Sequence, residues 1–166
     1  MADFKVKYAA AATITITLAS LATSATRVAG QESTAIDNTT NLYLNALLSG
    51  KVTTGTTVTA SYIDIWVYGS HDATPTYMDV LDGTDSAETF TDVNSRDTAM
   101  HLVHVIANDT TNAQTYWMRP TALAQFFGGY LPAFWGIFIS HSTVAALNAT
   151  GTNHEWKYTG LHEQSV

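Results

Sequence analysis

The stretch Val58-Thr59-Ala60-Ser61-Tyr62-Ile63-Asp64-Ile65-Trp66-Val67-Tyr68 decides the fold class. Side chains on a strand alternate between faces, so Ile63, Ile65 and Val67 line one face and Tyr62, Asp64, Trp66 and Tyr68 the other. One face is aliphatic and the other aromatic. Both therefore need at least partial cover, and one of them is open to cover by another subunit.

Working outward, the chain reads as strands separated by Thr/Gly/Asn turns, at the spacing of an all-β sandwich or barrel. Upstream, Thr13-Ile14-Thr15-Ile16-Thr17-Leu18 alternates strictly and predicts a half-buried strand. Lys5, Lys7 and the apolar residues to Leu21, ending in Ala22-Thr23-Ser24-Ala25, have the outline of a secretory signal. Three threonines inside its apolar run favour the strand. A polar segment spans Gln31 to Thr40, and Leu42 to Leu48 fits either a strand or two helical turns, ended by Ser49-Gly50.

Downstream, residues 69–96 form a long irregular region, of the kind that is functional, interfacial or ordered by a neighbour. Strands are predicted from Ala99 to Ala107 and from Gln114 to Arg119. Pro120-Thr121 then opens a short helix, Ala122 to Phe127, which Gly128-Gly129 stops. Ala133 to His141, apolar on both faces, predicts a central strand, and His154 to Leu161 a final one. The length fits one domain over residues 1–166, with a core large enough to need neither disulfides nor metal.

Charged residues make up only 13% of the chain, about half the usual share. Its surface must then be covered by Thr, Ser, Asn and Gly, or by a partner. Threonine, with 27 copies, suits a pleated strand that presents hydroxyls outward. The net charge is −7, and the seven cations are scattered with no basic stripe, which argues against direct nucleic-acid binding. No apolar run reaches the roughly 18 residues needed to cross a bilayer as a helix. There is no cysteine, which excludes disulfides and thiolate chemistry.

The motifs that could carry chemistry are weak. His101 and His104 fall on opposite faces of a strand, and His154-Glu155 and His162-Glu163 each lack the second His of a zinc helix. Asp82-Gly83-Thr84-Asp85 has part of a calcium loop, set among Asp79, Glu88, Asp92 and Asp97, but not the full ligand order. No Ser occupies a nucleophile elbow, and Ser140-His141 points to two faces. No catalytic residue, metal or cofactor is therefore expected. Aromatics such as Trp66, Tyr68, Tyr77, Trp117, Tyr130, Trp135, Trp156 and Tyr158 allow a sugar-stacking platform, although Trp135 and Trp156 read as anchors of a core or interface.

Residues 33–44, Val52-Thr53-Thr54-Gly55-Thr56 and Ile63-Asp64-Ile65-Trp66-Val67-Tyr68 come in an order that is continued downstream. The later runs are residues 79–89, Phe134-Trp135-Gly136-Ile137-Phe138-Ile139 and residues 147–154. Over about residues 13–160 this order resembles a family of small tailed-phage virion structural proteins. The chain departs from it at His141-Ser142-Thr143, where relatives often carry Asn-Thr-Gly. The resemblance implies a non-enzymatic head decoration (cement) protein with a jelly-roll-like antiparallel sandwich and one short helix. It further implies a homo-oligomer, a trimer, that clamps neighbouring copies of the major capsid protein on the outer surface of the head. On that reading Trp66, Tyr68, His71, Tyr77, Asp82 and Asp85 form the partner interface, without nucleic acid or membrane. The alternative is a host-surface or carbohydrate-binding module of a tail or head fibre.

Overall fold

The computed structural model describes residues 4–165 and contains two antiparallel sheets. The first holds β1 (Phe4–Tyr8), β11 (Glu155–Ser165), β5 (Asn45–Thr53) and β9 (Thr115–Ala122) in that order, with the short β2 (Ala12–Thr13) also on β11. The second runs β7 (Ala87–Thr89), β3 (Ala29–Glu32), β10 (Phe134–His141), β6 (Ser61–Ser70), β8 (His101–Asn108), with β4 (Ile36–Asp37) on β10. The pairs β1–β11, β3–β10, β5–β9 and β6–β8 nest like one long folded hairpin. Rolling that hairpin brings β11 beside β5 and β10 beside β6. This is the jelly-roll sandwich.

The main core lies between the sheets. Ile63, Ile65 and Val67 of β6 and Ile137 and Ile139 of β10 meet Ala46, Leu48 and Val52 of β5 and Trp156 of β11. Trp135 packs edge-on against Tyr158 at 5.1 Å between ring centres. β5 is a strand, and it runs through Ser49-Gly50 instead of ending there. Gly50 faces the Trp156 ring so closely that a Cβ would collide with the indole. The glycine is a site of close approach within a strand, a role that resembles a turn in sequence.

Several expectations are corrected. Only Ala12–Thr13 pairs as a strand; beyond it Ile14 and Leu18 still point inward, but the segment crosses from Trp156 of one sheet to Thr34 of the other. The polar segment holds β3 and β4, and Gln31, Glu32 and Ser33 are buried there. Pro120 lies within β9, where an edge strand tolerates its missing N–H. The short helix after it is a 3-10 turn, Ala124–Phe127, closed by Gly128 at φ 77°. The one α-helix among the described residues is α1 (Val93–Ala99), capped by the Asp92 carboxylate accepting from Ser95 N–H at 2.8 Å. At the end of β10, His141 and Thr143 form a buried lock, since the His141 ring bonds the Thr143 hydroxyl (2.9 Å) and the Leu21 carbonyl (3.0 Å).

Gly136 of β10 faces the Tyr68 ring, and a Cβ there would overlap its hydroxyl. Gly136→Ala is expected to destabilise the fold by roughly 1–3 kcal/mol in urea unfolding, as overpacking does. An unchanged midpoint would show that this contact is not tight.

Candidate interaction face

The outer face of the second sheet is covered over Trp66, Tyr68 and Phe138, while Tyr62, Leu102 and Val105 on the same face stay exposed. Trp66 and Tyr68 of β6 and Phe138 of β10 form a second core with Leu81, Phe90 and Met100, which the chain supplies from residues 77–100. Phe90 meets Phe138 edge-on at 5.4 Å, and Tyr77 meets Tyr68 at 5.3 Å. The Arg96 guanidinium lies 4.5 Å from the centre of the Trp66 ring and donates to the Arg27 carbonyl at 2.9 Å. Arg27 in turn pairs with the buried Asp64 at 2.6 Å. Two of the seven cations are thus spent fastening this cover.

Beneath it sits Glu32, fully buried. Its carboxylate accepts from Gly83 N–H (2.7 Å) and Asp82 N–H (3.2 Å), pinning the acidic loop to β3. Desolvation pushes the Glu32 carboxyl above the ordinary range, against the pull of these donors and the Tyr68 hydroxyl. Gln31 on the same strand donates to Asp85 at 2.6 Å, and Asp85 also accepts from Thr17 N–H at 2.8 Å.

These contacts relocate the residues expected to meet a partner. Trp66 and Tyr68 are 5% and 2% exposed and belong to the protein's own core, so contact through them is corrected. Tyr77 is half-buried as part of the lid. Asp85 ties the loop to Thr17 and Gln31, while Asp82 turns back onto Thr84 N–H at 2.8 Å. His71 is exposed. A bulge in β8 sets His101 and His104 opposite Val67 and Ile65, on one face of the sheet and not two. They still diverge, since His101 packs on Phe127 and His104 borders the opposite sheet's groove. Among the described residues, no three metal-ligating side chains converge.

The outer face of the first sheet has no such cover. A groove of about 740 Å³ crosses it, lined by Trp117, Arg119 and Pro120 of β9, Ser49 of β5, and Glu155 and Lys157 of β11. Trp117 is 70% exposed, with the Lys51 ammonium 5.8 Å from its ring centre. Register places Val6 and Tyr8 of β1 on this same face, beside Glu163 and Leu161, and both are exposed. Trp135, Trp156 and Tyr158, the other sugar-platform candidates on strands, are buried. Sequence reasoning named Trp117 only as one aromatic among several. The signal that singles it out is its place between Thr115 and Arg119 on one face of the strand, with no apolar residue at either of those positions.

Charge is sorted as well. The scattered cations Lys5, Lys7, Lys51, Arg119 and Lys157 all fall on the first sheet. Residues 71–97, which cover the second, hold seven carboxylates against Arg96. Comparison with protein-family models, with curated proteins and with solved structures gives no match.

Two predictions follow from the covered and open faces. Trp66→Ala should cost about 3–5 kcal/mol, whereas Trp117→Ala should stay within about 0.5 kcal/mol; equal losses in denaturant unfolding would contradict the assignment. The second concerns pH. Burial holds the His141 imidazole below its ordinary 6.5, so below pH 6.5 the unfolded chain binds more protons and stability falls with pH. Glu32 has the opposite sign: its raised folded-state value makes its contribution fade as pH rises above 4.5. Thermal melts from pH 7 to 5 should therefore lose part of their acid decline in His141→Gln and show a steeper one in Glu32→Gln. Unchanged slopes in both would contradict these environments.

Proposed function

We propose that this protein is a non-enzymatic structural component of a tailed-phage virion, a head decoration protein that acts by adhesion through the open face of its first sheet. The observation that carries the contact-making part is the asymmetry of the sandwich. One outer face is covered over Trp66, Tyr68 and Phe138 by the chain's own loop and helix, with Tyr62, Leu102 and Val105 left exposed beside that cover. The other exposes Trp117 in a groove with a polar rim, and Val6 and Tyr8 further along the same face. An exposed tryptophan ringed by polar residues is the composition of an interface anchor. The low charge and abundant threonine suit a surface that is shared with partners. The virion setting rests on the order of sequence motifs, and the jelly roll is compatible with it without requiring it. Oligomerisation, as a trimer, would multiply modest contacts with the major capsid protein through symmetry.

A second reading is favoured by one feature of the same groove. Trp117 flanked by Lys51, Glu155 and Lys157 could stack on a sugar ring and hydrogen-bond its hydroxyls, as in a carbohydrate-binding fibre module. Co-sedimentation with phage heads that lack the protein separates the two. Wild-type protein is expected to bind heads, and Trp117→Ala to bind at least tenfold more weakly at unchanged melting temperature. Absence of head binding, together with glycan-array signals that vanish in Trp117→Ala, would overturn decoration in favour of the sugar module.

A further inference from the structure

The two outer faces of the sandwich are complementary to each other. On the first sheet, Trp117 stands beside Lys51 and Arg119, with Lys157 paired to Glu155 at 2.7 Å along β11. On the opposite side of the molecule, the loop and helix that cover the second sheet expose Asp72, Asp79, Asp82, Asp92 and Asp97. That acidic side also has apolar relief. Met78 is 62% exposed at the mouth of a cleft, bordered by Asp79 and by Ser95, Thr98 and Ala99 of α1, and Val93 of α1 is exposed nearby in sequence. Arg27 and Arg96, the cations on this side, are engaged with Asp64 and Asp97. Asp72 and Asp79 have side chains with no hydrogen bond or ion pair among the described residues, so their charge faces outward uncompensated.

We infer that the protein self-associates head to tail: the Trp117 groove of one copy docks on the acidic α1 side of the next. Trp117 seats against Met78 in the cleft beside α1, and Lys51 and Arg119 face Asp79 and its acidic neighbours. An indole on a thioether is a favourable contact, and opposite charges around it fix orientation and speed encounter. Because the two surfaces differ, the contact is heterologous and leaves each copy with one free groove and one free acidic side, so it propagates into a ring or a chain. A groove-to-groove pairing would instead bring Lys51 and Arg119 of two copies together, which like charge opposes. This self-contact deepens the proposed assembly role and rests on it in taking the open sheet face as an interface. With that face met by the next copy, weaker head binding by Trp117→Ala follows from loss of the multivalent assembly.

Reciprocal charge reversal tests it, read by sedimentation velocity at low and high salt. Wild-type protein is expected to self-associate, at least tenfold more weakly in 500 mM than in 50 mM NaCl. Lys51→Glu/Arg119→Glu and Asp72→Lys/Asp79→Lys should each be monomeric alone, with native melting profiles, and should associate again when mixed one to one. Asp79 has φ 55°, so Asp79→Asn, which tolerates that backbone, supplies a weaker reversal should lysine unfold the loop. It is expected to weaken association in the same direction. Wild-type protein that stays monomeric, a reversed variant that associates as the wild type does, or a mixture that fails to recover would each overturn the inference. Failure of wild-type protein to bind heads would defeat the virion reading alone and leave this result standing.

Discussion

Burial of both faces of β6 is the constraint on which the rest depends. Its inner face, Ile63, Ile65 and Val67, is met by the opposing sheet. Its outer face carries Trp66, Tyr68 and the buried Asp64, and no second sheet remains to meet it. The chain therefore folds residues 77–100 back over it. Burying Trp66, Tyr68, Phe90 and Phe138 contributes on the order of 10 kcal/mol gross, comparable to the whole net stability of a domain. The loop is thus part of the fold, and its polar fastenings follow from that. Glu32 clamps its backbone, Asp85 ties it to Thr17 and Gln31, and Arg96 lies over the Trp66 ring.

Closing one side leaves the other distinct. The longest connection, between β6 and β7, is spent on the second sheet, and the first sheet keeps an outer face with Trp117, Val6 and Tyr8 exposed. The same division sorts charge, with carboxylates concentrated on the cover and lysines on the bare sheet. The molecule thus has one largely covered acidic side and one open side that carries an exposed tryptophan among cations. The proposed contact function would then share its origin with the fold, the asymmetric covering of a jelly roll.

How much of this could be read from sequence depends on the residue. Alternation gave β6 and β10 with their faces, because aliphatic and aromatic side chains there leave no other reading. It also required that the aromatic face of β6 be covered, but periodicity cannot say whether the cover comes from the same chain or another. Periodicity alone therefore leaves Trp66 and Tyr68 open to a partner. β3 escaped notice because its buried residues are Gln and Glu, held by hydrogen bonds that no local pattern announces. Gly50 imitates a strand end, and only the position of Trp156, more than a hundred residues away, explains it. The bulge that realigns His101 with His104, and the register that gathers five scattered cations on one sheet, are likewise tertiary facts. α1 has seven residues and no apolar period, leaving Asp92 as its one local signal.

Hydroxyl-radical footprinting of the free protein, resolved at each tryptophan by mass spectrometry, tests the central claim most directly. Trp117 should be oxidised rapidly, and Trp66 should be protected to the same degree as the sheet-to-sheet core residues Trp135 and Trp156. Oxidation of Trp66 at the rate of Trp117 in folded protein would contradict the account, because the acidic loop would then not be sealing the second sheet.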